Sequence, residues 1–409
     1  MPLLRPDRCI VGRIETLYAS RIAIDIHPPG TVRAHLLPYC FAAFLVFGSV
    51  LVLVGANQAD LSGALGLGMA ETSLLASVLS IGLGVGVVAS GPLFDRYPRR
   101  RLFAGSTLLA GAALLGVAPG DGFWRWLVLM GLTGVGIGAY DNLINAVVAQ
   151  HFGARSARPM SIMHSAASLG AILGPLLVGW LAVHSHWTAS FTWIGAAHIA
   201  LAVGALFVAF PAPETHPGGS SAGRSSDRVV RWSGLLPFAG VAFAYVGIEA
   251  AMTIVAVPYA TLALELGAER GRLAISAFWL GLFLGRIGAV MLRRELDTGV
   301  LGTAGTLAAL VVGAAAAVAA PVPELPFLAA GLALGCVYPV MISLAAQRFP
   351  HARGTAAGLA AGAGALGGFA VPWITGALGD AVGVTLAFGS LSLWAMLMAV
   401  CAAAARRVG

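Results

Sequence analysis

The sequence contains no lysine and little charge of either sign. Charged residues make up 10% of its 409 residues, against about 25% in a typical soluble domain. Hydrophobic residues make up 58%, and the mean hydropathy is +0.88. So few charged side chains could not cover a water-facing surface of this size. The composition therefore excludes an ordinary soluble protein and indicates a membrane protein.

Cysteine and known catalytic motifs are also scarce. The four cysteines, at positions 9, 40, 336 and 401, form neither a CxxC motif nor a Cys/His ligand spacing. We therefore expect no disulfide framework and no metal site. The sequence has no HExxH, no GxSxG and no phosphate-binding lysine, so we expect neither an enzyme nor a bound cofactor.

What the sequence has instead is long apolar runs. A helix that crosses a bilayer needs about 20 mostly apolar residues, and the runs are continuous, without the alternation expected of barrel strands. They predict an all-α membrane protein with twelve transmembrane helices. The runs lie near 36–59, 70–92, 102–119, 124–150, 158–182, 188–211, 235–259, 272–292, 299–319, 326–347, 356–378 and 382–405.

A polar segment divides these runs into two sets. Residues 212–233 are rich in Pro, Gly, Ser and Arg, a composition typical of flexible linkers. We predict a cytoplasmic tail at 1–35, an N-terminal six-helix bundle at 36–211, a cytoplasmic linker at 212–233 and a C-terminal six-helix bundle at 234–409.

The two sets repeat each other at a shift of 197 positions. Parallel repeats of this kind are typical of transporters in which two bundles move around a central site. The matching pairs include Gly84 with Gly281, Gly91 with Gly288, Gly134 with Gly331, Gly138 with Gly335, Gly170 with Gly367 and Pro175 with Pro372.

The arginines lie mainly on one side of the predicted membrane. The tail, the linker, the C-terminus and the loops on that side hold 20 of the 24 arginines, and we call it the arginine-rich side. The opposite side holds Arg125, Arg270 and Arg272. The positive-inside rule makes the arginine-rich side cytoplasmic. We therefore predict a multi-pass protein of the plasma (inner) membrane with both termini cytoplasmic, and a net charge of +7 that needs no nucleic acid to explain it.

The segment GPLFDRYPRRR, Gly91 to Arg101, follows the second run. It resembles the signature loop of the major facilitator superfamily, Gly-x-x-x-Asp-Arg-x-Gly-Arg-Arg, with Pro98 in place of the second glycine. The resemblance implies the major facilitator fold and a gating role, since an acid at a helix end can bind a helix N-terminus or an arginine. The alternative is that the arginines only anchor the loop at lipid headgroups. The residues on the pattern are Gly91, Asp95, Arg96, Arg99 and Arg100.

A narrower resemblance lies in GIGAYDNLIN, Gly136 to Asn145. It is similar to the fourth helix of fucose permease-like transporters, where Gly-x-Gly is followed by an acid and, four residues on, by asparagine. Asp141 and Asn145 occupy those two positions. The resemblance implies sugar/proton symport. Further segments similar to that branch are YVGIEAAM, FWLGLFLGR, GCVYP and GTAAGLAAGAGALGGFAVPWITGALGD.

Three charged residues lie well inside the predicted spans: Asp141, Glu249 and Arg286. A charge at mid-helix costs about 2.5–3.5 kcal/mol on insertion scales, so we expect all three to face protein or a wet cavity. Removal from bulk water favours the protonated form of a carboxyl group. Asp141 is therefore our first candidate for the site of proton coupling, and Glu249 is expected to pair with Arg286.

His164 lies at a depth close to that of Asp141 and could relay protons; the alternative is a hydrogen-bonded packing histidine. Polar groups beside aromatic rings suit sugars and similar ligands, although the rings alone could reflect ordinary packing. Asn57 and Gln58 close the first run, where helix-end solvation is the alternative to substrate binding. The candidate substrate-binding residues are Asn57, Gln58, Asn145, Tyr245, Glu249, Trp279, Arg286 and Tyr338.

Together these features predict a proton-coupled secondary active transporter that works by alternating access. Its expected partners are a small-molecule substrate, protons and membrane lipids, and we expect it to act as a monomer. A sugar or a small polar metabolite is the expected substrate. The alternative is a proton-antiport exporter of drugs or metabolites, because one fold can host both functions.

Overall fold

The computed structural model describes residues 35–152, 157–210, 232–291, 297–349 and 353–408. Regular structure in these ranges is helical, as predicted. The predicted tail up to residue 34 and the predicted linker up to residue 231 lie outside the described residues.

The long helices of the first half follow the predicted runs, whereas the short helix Gln58–Leu65 lies almost entirely between the first two runs and was not predicted. Gly66 ends the short second helix with φ +64°, a left-handed conformation that favours glycine. The helices are α1 Leu36–Ala56, α2 Gln58–Leu65, α3 Met69–Arg96, α4 Arg99–Leu115, α5 Phe123–Phe152, α6 Ala157–His184 and α7 Ala189–Ala205.

The second half begins with a 3₁₀ turn, Trp232–Leu235, and one predicted run is interrupted. The helices are α8 Leu236–Pro258, α9 Ala268–Met291, α10 Thr298–Val318, α11 Glu324–Leu334, α12 Val337–Arg348, α13 Arg353–Val382 and α14 Val384–Val408. A π-helical turn, Tyr259–Ala263, extends α8. The break between α11 and α12 falls at Gly335, whose carbonyl receives no hydrogen bond from Pro339 because proline has no N–H.

Ten helical segments in the described ranges are long and apolar enough to cross a bilayer. The predicted runs near 102–119 and 188–211 correspond to α4 and α7, which have 17 residues each. At about 1.5 Å per residue, such a helix is about 25 Å long, slightly short of a hydrocarbon core of about 30 Å. The structure thus describes a multi-pass helical membrane protein, and the count of twelve spans stays a prediction.

Helix packing repeats between the halves. Helix α3 packs against α5 as α9 packs against α11, α1 against α6 as α8 against α13, and α4 against α7 as α10 against α14. Several of the repeated glycines, Gly138 and Gly335 among them, lie at these contacts. A Cβ atom at Gly138 would collide with the backbone of Leu83, and one at Gly335 with the backbone of Leu282. Small residues let membrane helices approach closely, which gives the sequence repeat its structural meaning.

The two halves meet through α3 against α13 and α6 against α9. At the opposite side, the Asp380 carboxylate accepts hydrogen bonds of 2.8 Å from the backbone N–H groups of Met69 and Ala70. The last residues of α13 therefore cap the N-terminus of α3, where backbone N–H groups have no partner within the helix.

Arg272 makes a second polar link at the opposite side. Its Nη2 lies 2.7 Å from Asp60 Oδ2, and its Nε donates to the Ala56 carbonyl at 2.9 Å. Arg272 is buried, so the Arg272 end of this ion pair is shielded from solvent. The halves are thus joined by charged contacts on the side away from most arginines.

Toward the arginine-rich side, α3 and α13 diverge. Gly376 and Gly358 lie on the same face of α13, about five turns apart. A Cβ atom at Gly376 would collide with Ser73 of α3, whereas one at Gly358 would meet nothing within 4 Å. On α3, a Cβ atom at Gly84 would touch Ala365, whereas one at Gly91 would meet open space. Among the described residues, α3 and α13 are therefore in contact toward the opposite side and apart toward the arginine-rich side.

Candidate functional site

Asp141 lies in the middle of α5 and is half-buried. Asn145, one turn later, donates a hydrogen bond from Nδ2 to Asp141 Oδ1 at 3.0 Å. The glycines on the same stripe, Gly134 and Gly138, bring α5 against the backbone of α3. This stripe of α5 therefore has two roles. Its glycines pack the helix against α3, and its polar residues form one side of the candidate site.

Tyr338 connects the two halves of the candidate site. It lies on α12, is half-buried, and interacts electrostatically with Asp141, Glu249 and Arg286. Its ring centroid is 5.9 Å from that of Tyr245 on α8. The acid predicted from the first half and the charged residues predicted from the second half therefore all lie near Tyr338.

Arg286 does not form the predicted ion pair with Glu249. Among the described residues, no Arg286 nitrogen lies within 4.0 Å of the Glu249 carboxylate. Arg286 Nη1 instead donates to Ser168 Oγ on α6 at 2.8 Å, and Nη2 donates to the Tyr245 hydroxyl at 3.4 Å. Tyr245 interacts with both charged residues. The phenol thus stands between them, and Arg286 is held across the interface by the other half.

His164 lies beside Arg286, and the described contacts do not link it to Asp141. Its ring packs edge-on against Phe44, with centroids 5.1 Å apart, and it interacts electrostatically with Arg286. His164 is exposed, and its carbonyl accepts a hydrogen bond of 3.3 Å from Ser168. The structure therefore groups His164 with Arg286, and a relay to Asp141 stays a prediction.

Three of the predicted substrate-binding residues are buried in packing contacts. Asn57 is fully buried and donates to the Leu53 carbonyl and to Ser190 Oγ. Gln58 donates to Thr72 Oγ1 at 3.2 Å. The indole N–H of Trp279 is likewise bonded to a hydroxyl, that of Thr253 at 3.2 Å. These bonds favour structural roles for Asn57, Gln58 and Trp279. The remaining group, here called the central group, consists of Asp141, Asn145, Tyr245, Glu249, Arg286 and Tyr338.

The predicted gating residues lie at the turn between α3 and α4. Arg99 is buried, and its guanidinium carbon lies 4.2 Å from the centre of the Phe94 ring. Arg96 and Arg100 are exposed. The side chain of Asp95 lies outside the described part of the structure, and the gating role of the loop, Gly91 included, stays a prediction.

Sequence reasoning missed Ser168, the partner that joins Arg286 to the first half. Ser168 is fully buried and lies one turn after His164. In the segment SIMHSAASLG, His164 and Ser168 are spaced to lie on one face of a helix, and this spacing could have indicated Ser168. It missed Asp380 as well, because an acid at a predicted helix end is ordinary in sequence.

The solved structures that resemble this chain are transporters. A bacterial homologue of the human lysosomal transporter Spinster, in an inward-facing and occupied conformation, is 14% identical with a TM-score of 0.71; the match covers 93% of this chain and 98% of that one. A D-xylose-proton symporter is 18% identical with a TM-score of 0.73, and the match covers 91% and 96%. At these identities the likeness establishes the fold.

Curated relatives match over shorter stretches. A gallate transporter of Pseudomonas putida is 28% identical over 169 residues, which is 40% of this chain and 37% of that protein. A 3-(3-hydroxy-phenyl)propionate transporter of Escherichia coli is 31% identical over 158 residues, which is 38% of each chain. The matches thus span well under half the length of these relatives.

A family model covers most of the chain. The Major Facilitator Superfamily model matches residues 39–371, a range that includes every candidate residue of the central group. The relatives and the similar folds are transporters, not enzymes. The chain therefore belongs to the Major Facilitator Superfamily.

Proposed function

We propose that the chain is a proton-coupled secondary active transporter that works by alternating access, with two six-helix bundles moving about the central site. One observation carries the proposal. Arg286 donates a hydrogen bond to the Tyr245 hydroxyl, the Tyr245 ring centroid lies 5.9 Å from that of Tyr338, and Tyr338 is close enough to Asp141 and Glu249 for electrostatic interaction. Ionisable groups inside a membrane protein are costly and mark substrate or proton pathways.

Asp141 is the proposed proton site. Its described hydrogen-bond partner, Asn145, is neutral, so the charge of Asp141 is not compensated by a direct cation. Protonation removes a charge from the membrane interior and changes the relative energy of the two conformations. A proton taken up on one side can then be released on the other.

The arginine-rich side is the proposed cytoplasmic side, by the positive-inside rule. Because α3 and α13 diverge on that side, the conformation described here corresponds to an inward-open state. We propose that the protein lies in the inner membrane as a monomer surrounded by lipid, with both termini in the cytoplasm.

The proposed substrate is a small polar metabolite, and two classes are supported. The fold neighbours include a D-xylose-proton symporter, in keeping with the sugar predicted from sequence. The curated relatives include transporters named for gallate and 4-hydroxybenzoate, which are aromatic acids. Proton-antiport export of drugs or metabolites is the alternative direction.

The test uses the purified full-length protein in liposomes with an imposed pH gradient. Uptake of labelled D-xylose and of labelled gallate is measured for the native protein, for Asp141→Asn and for Asp297→Asn. Asp297 is exposed and caps α10, a role that asparagine can also fill, so the second variant is a matched control. We expect Asp141→Asn to lose gradient-driven uptake but to keep the exchange of labelled for unlabelled substrate. The native protein and Asp297→Asn should keep both activities. Gradient-driven uptake by Asp141→Asn would reject the assignment.

A further inference from the structure

We infer that the substrate carries one carboxylate group and that Arg286 binds it. The inference rests on the proposed transport function and narrows its substrate class to small organic carboxylates. It follows from the state of Arg286 in the structure, which differs from the ion pair expected from sequence.

Arg286 has no carboxylate in direct contact among the described residues, although Glu249 lies close enough to interact with it electrostatically. The ion pairs among described residues are Arg125 with Asp121, Arg270 with Glu324, and Arg272 with Asp60. Arg286 lies toward the C-terminal end of α9, within the apolar span Ala268–Ala289, and its hydrogen-bond partners are the hydroxyl groups of Ser168 and Tyr245. Because arginine stays protonated in proteins, a full positive charge lies within the span without a carboxylate in contact.

Arg286 also has hydrogen-bonding capacity to spare. Guanidinium has five N–H donors, and the described contacts use two of them, on Nη1 and Nη2. Nε has no hydrogen-bond partner in the described ranges, yet it is not among the polar atoms sealed from solvent there. A planar fork with accessible donors binds a carboxylate with two parallel hydrogen bonds.

The surroundings suit an organic anion with a flat or hydroxylated body. The rings of Tyr245 and Tyr338 are tilted by 32° with centroids 5.9 Å apart, and they offer ring faces and hydroxyl groups next to the guanidinium. Tyr338 also interacts with Asp141, so the anion and the transported proton would lie close together. One proton and one monocarboxylate carry no net charge across the membrane.

Binding of a carboxylate would also change the contact between the halves. The bond between Arg286 on α9 and Ser168 on α6 joins the second half to the first at the depth of the candidate site. A carboxylate is a stronger acceptor than a hydroxyl group and would take the place of Ser168. Substrate binding would thereby release one of the bonds that hold the halves together.

The test compares an acid with its neutral isostere. Binding of benzoate and of benzamide to the detergent-solubilised full-length protein is measured by isothermal titration calorimetry. We expect benzoate to bind at least about tenfold more tightly than benzamide, as a charge-assisted bond implies. Arg286→Gln should abolish this preference, and Arg286→Lys should retain part of it. Glu249→Gln should strengthen benzoate binding, because a nearby acid is removed.

Arg125→Gln is the matched control, because the Arg125 side chain is 59% exposed and already pairs with Asp121. It should leave the preference unchanged. Equal binding of the two probes, or an unchanged preference in a folded Arg286→Lys and Arg286→Gln, would overturn the inference. Gradient-driven D-xylose uptake with no carboxylate binding would overturn it too and leave the proposed function intact. Carboxylate binding together with gradient-driven uptake by Asp141→Asn would reject the proposed proton site and leave this inference intact.

Discussion

Asp380 accepts a hydrogen bond of 2.8 Å from the backbone N–H of Met69, 311 positions away in sequence. The contact joins the C-terminal end of α13 to the N-terminal end of α3, and Asp380 accepts a second bond from Ala70. A carboxylate is favourable at a helix N-terminus because of the unpaired N–H groups and the helix dipole. These two hydrogen bonds join the halves on the side of the molecule opposite the arginine-rich side.

Loss of the Asp380 carboxylate should favour opening at the opposite side. Hydrogen bonds to a charged group contribute about 1.5–3 kcal/mol, so Asp380→Ala should shift the conformational equilibrium roughly tenfold or more. The measurement is the rate at which a membrane-impermeant maleimide labels a cysteine placed at Ser73, which is 2% exposed and faces Gly376.

Asp297→Ala is the control for Asp380→Ala. Asp297 also caps a helix N-terminus, but it caps its own helix, α10, and joins no second element through that bond. We expect it to leave labelling at Ser73 unchanged. Equal labelling rates in the Asp380→Ala variant and the native protein would show that Asp380 does not hold the closed side.

A methyl group at Gly138 should disrupt the contact between α3 and α5. A Cβ atom there would collide with the backbone of Leu83, which cannot move without shifting a helix. We expect Gly138→Ala to cost about 1–3 kcal/mol, the usual range for overpacking, and to lower the thermal unfolding temperature in detergent. Gly105→Ala on α4 is the matched control, since a Cβ atom there meets nothing within 4 Å, and it should be neutral or slightly stabilising.

Trp279 and Tyr338 should respond differently to replacement by phenylalanine. Trp279→Phe removes the hydrogen bond to Thr253 and should lower stability by about 1 kcal/mol without changing substrate affinity. Tyr338→Phe should weaken binding or coupling, because its hydroxyl lies among the charged residues of the central group. Thermal unfolding and equilibrium binding, measured on both variants, separate the two roles. A loss of affinity in Trp279→Phe at unchanged stability would place Trp279 in the binding site.

The sequence was sufficient for the membrane class and for singling out the charged residues inside the spans. Apolar runs of membrane-crossing length must be buried in lipid whatever their order in space, so their prediction needed no tertiary information. Asp141, Glu249 and Arg286 were identifiable for the same reason, since each is charged within an apolar run. The repeated glycines likewise reflected close helix contacts, as Gly138 and Gly335 show.

The pairing of side chains could not be read from the sequence. Glu249 and Arg286 are opposite charges on consecutive long helices, and pairing them was the simplest interpretation. The structure instead places Tyr245 between them and gives Arg286 the hydroxyl group of Ser168. Similarly, the sequence shows Asn57 and Gln58 only as polar residues at a helix end. The structure shows that their amide groups donate hydrogen bonds to Ser190 and Thr72.

By itself, the sequence determined that this chain is a helical membrane protein built from two related halves with charge inside its spans, because hydropathy, charge placement and repetition are properties of the chain. The tertiary structure alone decided which charges meet, which side of the molecule is closed, and that Arg286 contacts a hydroxyl group in the other half. The physical reason is that a hydrogen bond depends on distances of about 3 Å between atoms, and residues as far apart as Met69 and Asp380 acquire such a distance only when the halves are packed together.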